Sequence, residues 1–384
     1  MGRMSAPEAN PYELAALERA RGLALNARGR VSPNPLVGAV ILRDGRTIAQ
    51  GWHEGPGTPH AEAMALSIAG EAARGATVVC TLEPCSHHGR TPPCAEALVR
   101  AGVGRVVVGC RDPLEAGRAG GIDVLERAGI EVVLAPGDHA EACRELISDF
   151  LTAGISARPE VTVKLATSLD GRIATASGES RWISGPRSRA LVHRWRADAD
   201  AVAVGIGTAL ADDPQLTARD VAGPVRQPRR VVFDSDARLP LTSRLVGGAH
   251  ELPVTVIAAQ DADASRVAAL RAAGVQVLQP AGDPAARAAA ALRTLADDGV
   301  QSLFVEGGAV LAGGLIDAGL VDRIAWFFAP MVIGGTGAPS AIGGVGAPTL
   351  AQAPRLSGVS VERSGEDILV RGRLRAPAWR TDGG

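Results

Sequence analysis

Residues 81–94 read TLEPCSHHGRTPPC, and residues 59–62 before them read PHAE. The apolar run 76–82 predicts a buried strand that leads toward Cys85, and a helical pattern begins after His60. One imidazole and two thiolates, from His60, Cys85 and Cys94, form a donor set suited to zinc. Three protein ligands leave the fourth tetrahedral position for water, which is typical of a catalytic rather than a structural zinc site.

Glu62 stands two residues after His60 and is expected beside the metal without being a ligand. Zinc lowers the pKa of a bound water toward neutrality and so generates hydroxide at physiological pH. In zinc deaminases a glutamate in this position takes the proton from water and passes it to the departing ammonia. The sequence therefore predicts a Zn2+-dependent hydrolytic deaminase with Glu62 as its catalytic residue.

The spacing of the two cysteines leaves alternatives open. Zinc deaminases usually place two residues between them, whereas eight intervene here. His87 and His88 lie in this insert and compete with Cys94 as ligands. A fourth protein ligand from either would close the site and make it structural. Cys94 is favoured because the two prolines before it set the chain entering the next helix. The remaining cysteines, Cys80, Cys110 and Cys143, are expected to be inert.

The composition favours an enzyme of small molecules. With 384 residues the chain is expected to form two domains. A net charge of −1 and an aromatic fraction of 3% argue against a nucleic-acid binder. No apolar stretch is long enough for a signal peptide or a membrane span. Five cysteines, an odd number, make a poor disulfide framework. A cytoplasmic location is therefore expected.

Strand and helix patterns alternate along the whole chain, which predicts an α/β protein. The boundary is expected within residues 154–159, giving domains 1–155 and 156–384. The first is predicted to be a three-layer sandwich with helices over residues 61–74 and 140–151. In the second, the last predicted strand is 323–329. Lys164, the only lysine of the chain, falls in a predicted strand and is expected to meet substrate or cofactor.

Several segments carry a resemblance to a known family. In the first domain these are NPLVG at 34–38 together with residues 59–62 and 81–94; in the second they are KLATSLDGR at 164–172, GESRWI at 178–183, LADDP at 210–214 and VEGG at 305–308. They resemble the bifunctional deaminase–reductases of riboflavin biosynthesis, and the long insert between the cysteines is the most specific likeness. The resemblance implies a cytidine-deaminase-like N-terminal domain and a dihydrofolate-reductase-like C-terminal domain.

The resemblance also implies two consecutive reactions. The first domain would deaminate 2,5-diamino-6-(5-phosphoribosylamino)pyrimidin-4-one. The second would use NADPH to reduce the ribosyl group to ribityl phosphate. Members of the family form dimers or tetramers, so a homo-oligomer is expected, with a small pyrimidine phosphoribosyl substrate and neither nucleic acid nor membrane as partner.

The site residues of the second domain are predicted partly from local sequence patterns and partly from the family resemblance. A Gly307-Gly308 turn between a predicted strand and a predicted helix is a ready site for a pyrophosphate, although no Gly-x-Gly-x-x-Gly motif is present. The resemblance implies cofactor contacts from Ala166, Trp182, Thr208, Asp212, Ser235, Gly308, Ala309, Val310, Leu311, Ala312, Gly313 and Gly314. It implies substrate contacts from Asn34, Lys164, Ser180, Arg196, Leu216, Arg219 and Glu306, the arginines being suited to the phosphate. Neither the proton donor of the reduction nor the residue that selects NADPH over NADH is identified.

Two departures from the family pattern are visible. Ala39 stands where relatives often have cysteine, and Leu114-Glu115 replaces a frequent Asn-Pro. The second change leaves the details of that loop open. The rival interpretations are a deaminase of nucleic-acid bases, a protein with a purely structural zinc site, and a bifunctional chain with one inactive half. The cysteine spacing opposes the first rival, Glu62 the second, and the matched segments in both halves the third.

Overall fold

The computed structural model describes residues 8–88, 92–115, 120–223 and 225–380. The chain divides into two compact units, Met1–Ile155 and Ser156–Gly384. Each unit is built around its own sheet, one of five strands and one of nine. Strands alternate with helices in both, which confirms the predicted α/β class.

The N-terminal unit has six helices and five strands among its described residues. In chain order these are α1 Pro11–Ala24, β1 Gly38–Arg43, β2 Arg46–Trp52, α2 Ala61–Ala69, β3 Thr77–Cys80, α3 Cys94–Ala101, β4 Arg105–Val108, α4 Gly121–Arg127, β5 Glu131–Leu134, α5 Gly137–Leu146 and α6 Ser148–Ser156. The sheet order is β2-β1-β3-β4-β5. Strand β1 runs antiparallel to β2 and β3, whereas β3, β4 and β5 are parallel.

Two strand glycines show that helices cover both faces of this sheet. A Cβ atom at Gly38 would collide with the carbonyl of Ala20 in α1. A Cβ at Gly51, which pairs with Ala39 rather than with Gly38, would collide with the carbonyl of Ala61 in α2. Since neighbouring residues of a strand point to opposite faces, α1 and α2 lie on opposite sides. The three-layer sandwich is thus confirmed, and the close approach of α2 brings His60 and Glu62 to the sheet.

Helix bounds in this unit depart from the prediction at two places. The helix expected over 61–74 ends at Ala69, because Gly70 adopts φ of 53° and a short 3-10 turn follows. The helix expected over 140–151 is two helices, α5 and α6, separated at Ile147, whose φ of −115° and ψ of 26° are not helical. Apolar periodicity continues through the break, so the sequence pattern did not reveal it.

The C-terminal unit has six helices and nine strands among its described residues. They are β6 Glu160–Thr167, α7 Pro186–Asp198, β7 Ala201–Gly205, α8 Ile206–Asp212, β8 Arg229–Phe233, α9 Arg244–Gly247, β9 Val254–Ile257, α10 Ala264–Ala272, β10 Gln276–Leu278, α11 Pro284–Asp297, β11 Ser302–Val305, α12 Ala309–Asp317, β12 Arg323–Phe328, β13 Ser357–Ser364 and β14 Asp367–Arg373. The sheet order is β10-β9-β8-β7-β11-β6-β12-β14-β13. The first seven strands of this order are parallel, and β14 and β13 are antiparallel.

Two apolar cores cover the two faces of the nine-stranded sheet. Val202 of β7 belongs to the core that also contains Val192 of α7, whereas Ala203 belongs to the core that contains Leu292 of α11 and Leu315 of α12. Strands β7, β8 and β11 are buried on both faces, as expected of a parallel sheet, and β6 is buried on one face and half-buried on the other. The loops after these strands therefore gather at one edge of the sheet, where a ligand can bind.

The prediction that strands end at residue 329 is wrong. Strands β13 and β14 form a hairpin at one edge of the sheet, and seven of the eight residues of β13 are exposed. An edge strand with only short apolar alternation gives a weak sequence signal, which explains the omission. Over the described residues, no helix is both long and apolar enough to cross a membrane.

Candidate active sites

The N-terminal unit brings three potential metal ligands together. The Nδ1 atom of His60 lies 3.5 Å from Sγ of Cys85 and 3.3 Å from Sγ of Cys94. All three donor atoms lie within 4.8 Å of one another. Two ligands at about 2.0 and 2.3 Å from a tetrahedral zinc are roughly 3.5 Å apart. The donor set and its spacing therefore fit a zinc ion.

Local structure explains why these three atoms converge. His60 is the N-cap residue of α2 and keeps an extended backbone, so its ring lies at the helix entrance. Cys94 is the first residue of α3, and its backbone N–H donates to Sγ of Cys85 over 3.3 Å. A hydrogen bond from the Cys94 thiol lowers the pKa of Cys85 to about 4, whereas the same contact raises the pKa of Cys94. One thiol of the pair is thus poised to ionise, as a metal ligand must.

Glu62 lies in the first turn of α2 with only 3% of its surface exposed. Burial raises the pKa of its carboxyl to about 7, and a hydrogen bond joins it to the side chain of Cys94. A carboxyl with a pKa near neutrality can both accept and release a proton at physiological pH. Its position beside the donor atoms suits a group that transfers protons.

His53 is a site residue that the sequence did not reveal. Its ring packs edge-on against that of His60, with centroids 5.2 Å apart. Its Nδ1 lies 3.1 Å from the carbonyl of Pro59, which can only accept, so Nδ1 carries the proton. Burial lowers the pKa of His53, and its Nε2 accepts from the amide of Asn34 over 2.9 Å. This bond fixes the amide of Asn34 to a ring that packs against the metal ligand His60, and it leaves the amide oxygen of Asn34 outside the bond.

Glu83 fixes the loop that departs from the family pattern. Its buried carboxylate accepts from the backbone N–H of Asp112 over 3.2 Å and from that of Ile122, in the first turn of α4, over 3.1 Å. Leu114 of this loop lies near Gly154, where an added Cβ would be 2.5 Å from the leucine methyls. Glu83 therefore joins Asp112 to the start of α4.

The competing histidines stand apart from this group. His87 and His88 are both exposed, and neither belongs to the set of donor atoms around His60. His88 instead lies 4.0 Å from the carboxylate of Glu96. The three remaining cysteines, Cys80, Cys110 and Cys143, are buried, and burial raises the pKa of each thiol.

The C-terminal unit contains a cavity of about 1040 Å³ at the edge of the sheet where the parallel strands end. Its lining comes from the ends of β6, β7, β8 and β11 and from the first turns of α8, α11 and α12. The structure brings these predicted site residues together around it: Lys164, Ala166, Ser180, Thr208, Asp212, Ser235, Glu306, Gly308, Ala309, Val310, Leu311 and Gly314.

The Gly307-Gly308 turn opens this cavity toward the start of α12. Both glycines adopt positive φ, 78° and 88°, which residues with a Cβ rarely do. A Cβ at Gly308 would lie 3.2 Å from the hydroxyl of Thr208. No side chain caps α12, so its first backbone N–H groups are available to an anion. The turn fits the pyrophosphate of a dinucleotide.

A largely buried charge cluster adjoins the cavity at Glu306, the residue that precedes the turn. Arg196 binds both carboxylate oxygens of Glu306, one of them over 2.9 Å, and donates to the carbonyl of Thr217 over 3.0 Å. Burial alone would raise the pKa of Glu306, but Arg196 and Lys164 outweigh it and the net shift is downward. Burial lowers the pKa of Lys164, whereas Glu306 opposes that shift. Glu306 therefore carries its charge, and Lys164 is a half-buried amine that lines the cavity.

Several predicted residues do not line this cavity. Trp182 is 67% exposed and packs under the guanidinium of Arg189 at 4.5 Å. Leu216 is buried and Arg219 exposed, and both lie in a loop held from outside the cavity. The other three that do not line it are Arg196, Ala312 and Gly313.

The loop with Leu216 and Arg219 is held by three side chains. Besides the bond from Arg196 to Thr217, the side chain of Gln227 binds both the N–H and the carbonyl of Ala218 over 2.9 Å each. The backbone N–H of Arg219 donates to Nδ1 of His193 over 3.3 Å. Leu216 itself adopts φ of 55°, an uncommon conformation for a branched side chain. These contacts hold the backbone of residues 217–219.

Two family models match the chain. Residues 13–110 match the cytidine and deoxycytidylate deaminase zinc-binding region, and residues 159–370 match the RibD C-terminal domain. The first match contains the His60 triad and the second contains the whole C-terminal cavity.

Similar proteins cover nearly the full length. The riboflavin biosynthesis protein RibD of Aquifex aeolicus is 39% identical over 92% of this chain and 96% of its own. That of Actinobacillus pleuropneumoniae is 41% identical over 93% and 94%. Among solved structures, Acinetobacter baumannii RibD has a TM-score of 0.84 at 37% identity, covering 94% of this chain and 98% of its own. A Thermotoga maritima deaminase/reductase has a TM-score of 0.80 at 34% identity with the same coverage.

Proposed function

Because this chain belongs to the family of bifunctional deaminase–reductases of riboflavin biosynthesis, we propose that its two units carry out two consecutive reactions. The N-terminal unit hydrolyses the 2-amino group of 2,5-diamino-6-(5-phosphoribosylamino)pyrimidin-4-one. The C-terminal unit then reduces the ribosyl group of the deaminated product to ribityl phosphate. The chain is a zinc-dependent deaminase and an NADPH-dependent reductase. We propose the specific substrates and the residues that bind them.

The open triad carries the proposal for the first reaction. His60, Cys85 and Cys94 form a three-membered donor set, and a buried carboxyl stands beside it. Zinc in this triad supplies the Lewis acidity that lowers the pKa of water. Glu62 accepts the proton that water loses and delivers it to the leaving ammonia. The amide oxygen of Asn34, oriented by His53, accepts a hydrogen bond from the pyrimidine ring.

The residues of the C-terminal cavity fit the second reaction. NADPH supplies the hydride, and the protein supplies position and charge. The Gly307-Gly308 turn and the start of α12 would hold the pyrophosphate. Lys164 and Glu306, which line the cavity, would contact the ribosyl group beside the nicotinamide, and Arg196 keeps Glu306 ionised and fixed. Of the other proposed substrate contacts, Ser180 lines the cavity, whereas Leu216 and Arg219 belong to the neighbouring loop outside its lining; an arginine there suits the substrate phosphate.

We also propose a homo-oligomer, dimer or tetramer, that works in the cytoplasm. The exposed apolar residues Val359 and Val361 on edge strand β13 suit a contact with a second copy. All five cysteines are free, as is common in a reducing compartment.

The direct test is an assay with the purified chain, the diaminopyrimidine phosphoribosyl compound and NADPH. Ammonia release and NADPH oxidation are followed separately. We expect ammonia release without NADPH, and NADPH oxidation only after deamination. Ammonia release that survives complete removal of zinc, or NADPH oxidation that is independent of the deaminated product, would contradict the proposal.

A further inference from the structure

One end of the C-terminal cavity carries charged residues that the proposed function leaves without a role. Here the lining includes Ser235 and Arg238 after β8, and Asp283 and Arg287 at the start of α11. Only Ser235 among them is a proposed cofactor residue. NADPH differs from NADH by a phosphate on the 2′-oxygen of the adenosine ribose, so a protein that prefers NADPH must recognise that dianion.

The strand order places the adenosine at this end. The sheet runs β8-β7-β11-β6, with the Gly307-Gly308 turn after β11 and Lys164 on β6. We place the nicotinamide toward β6, because the proposed substrate contact Lys164 lies on that strand, with Glu306 between it and the turn along the sheet edge. With the pyrophosphate at the turn, the adenosine half extends the opposite way over β7 to β8. Ser235 and Arg287 border the cavity at that end.

Arg287 is held in place by neutral groups. Its Nη2 donates to the hydroxyl of Ser235 over 3.1 Å, and its Nη1 donates to the carbonyl of Gly282 over 3.0 Å. Within residues 8–88, 92–115, 120–223 and 225–380, no carboxylate forms an ion pair with it. Its guanidinium therefore borders the cavity without an ion-pair partner, and the residue lies in the first turn of the 14-residue helix α11.

The neighbouring charges are already engaged. Nε of Arg238 lies 3.4 Å from the carboxylate of Asp236 and 4.0 Å from that of Asp234. The carboxylate of Asp283 accepts the N–H of Ala286 over 2.9 Å as the helix cap. Asp236 is paired with Arg238, whereas the Asp283 cap keeps its negative charge and opposes a phosphate. Arg287 is the cation of this group that has no ion-pair partner among the described residues, so a phosphate can pair with it.

We propose that Arg287, together with the Ser235 hydroxyl, binds the 2′-phosphate of NADPH and sets the preference for NADPH over NADH. A guanidinium presents paired N–H donors that match phosphate oxygens, and an arginine near the adenosine ribose is a recurrent solution for this phosphate. The inference rests on the proposed reductase function, because it requires the adenosine to lie over β7 and β8.

The test is calorimetric binding of four ligands: NADP+, NAD+, 2′,5′-ADP and 5′-AMP. We expect Arg287→Gln to weaken NADP+ and 2′,5′-ADP by roughly 10- to 100-fold, the range of a charge-assisted hydrogen bond. NAD+ and 5′-AMP should bind as before. Ser235→Ala should produce the same pattern with a smaller loss. The matched control is Arg293→Gln, an exposed arginine of the same helix that does not line the cavity.

Each outcome separates this inference from the proposed function. Equal weakening of phosphorylated and unphosphorylated ligands in Arg287→Gln, or no weakening, overturns the role of Arg287 while the reductase proposal stands. If Arg287→Gln alters folding, Arg287→Lys tests the same point. Lysine keeps the positive charge but lacks the paired N–H donors of the guanidinium, so only the binding of NADP+ and 2′,5′-ADP should weaken. Wild-type protein that binds none of the four ligands contradicts the reductase proposal itself.

Discussion

The metal triad and the reductase cavity differ in how many parts of the chain position their functional side chains. The triad uses three atoms within 4.8 Å, placed by two helix starts and one strand exit. The cavity draws its lining from the ends of four parallel strands, β6, β7, β8 and β11, spread over some 140 residues of sequence. A compact site depends on single ligands, whereas a distributed site shares its binding energy among many contacts. Changes to the triad should therefore be far more damaging than changes in the cavity.

Glu62→Gln should cause the largest loss. The amide cannot accept a proton, so ammonia release should fall by about 10²- to 10⁴-fold, the usual contribution of general acid–base catalysis. Zinc content, measured by elemental analysis, should be unchanged. NADPH oxidation with supplied deaminated product should also be unchanged. Undiminished deamination would refute the role of Glu62, and loss of both activities would refute the independence of the two sites.

Glu306→Gln should destabilise the C-terminal unit by about 3 kcal/mol at pH 7, because Arg196 and Lys164 lose their buried counterion. The pKa of Glu306 is lowered from its ordinary value of 4.5. Its stabilising contribution is therefore complete above pH 4.5 and is lost as the pH falls through the folded-state value. In denaturant titrations, the difference in the free energy of unfolding between wild type and variant should be constant from pH 7 to pH 5. It should shrink at lower pH. A difference in the free energy of unfolding that grows as the pH falls would contradict the ionised state of Glu306.

Gly308→Val should weaken NADP+ binding by roughly 10- to 100-fold, since a branched residue at φ of 88° costs about 1–3 kcal/mol and its Cβ crowds Thr208. Isothermal titration measures this loss, and ammonia release serves as the internal reference that should not change. Gly247→Ala is the matched control, because its Cβ meets no atom within 4 Å. Unaltered NADP+ affinity in Gly308→Val would show that the Gly307-Gly308 turn does not bind the pyrophosphate.

Gln227→Ala should have the smallest effect. It removes two hydrogen bonds to the backbone of Ala218, each worth about 1 kcal/mol, from a loop that Arg196 and His193 still hold. We expect KM for the reductase substrate to rise by roughly five- to tenfold with little change in kcat. Gln352→Ala, an exposed glutamine that accepts from Thr349, is the control. A fall in kcat at constant KM would show that the loop acts on the chemical step instead.

The two sites also differ in how far the sequence revealed them. His60, Glu62, Cys85 and Cys94 could be predicted as a group because helix starts and strand exits are short-range features with fixed spacing. His53 was not predicted: a lone histidine in a loop has no pattern, and only the hairpin β1–β2 and the close approach of α2 bring it to His60.

In the C-terminal unit, the alternation of strands and helices predicted the fold class. It did not predict the strand order, and so could not place Ser235 next to Arg287, which are 52 positions apart. Hairpin β13–β14 was missed because an exposed edge strand needs few apolar residues. Packing determines which distant residues become neighbours across a sheet. The local periodicity of apolar residues does not predict these neighbours.

The claim on which the account depends most is that the metal has three protein ligands and one open position. X-ray absorption at the zinc edge of the zinc-loaded chain tests it directly. The account predicts two sulfur ligands at about 2.3 Å, one imidazole nitrogen and one further light atom at about 2.0–2.2 Å that is not an imidazole. A sphere filled by side chains, with a second imidazole or more than two sulfurs, would contradict it.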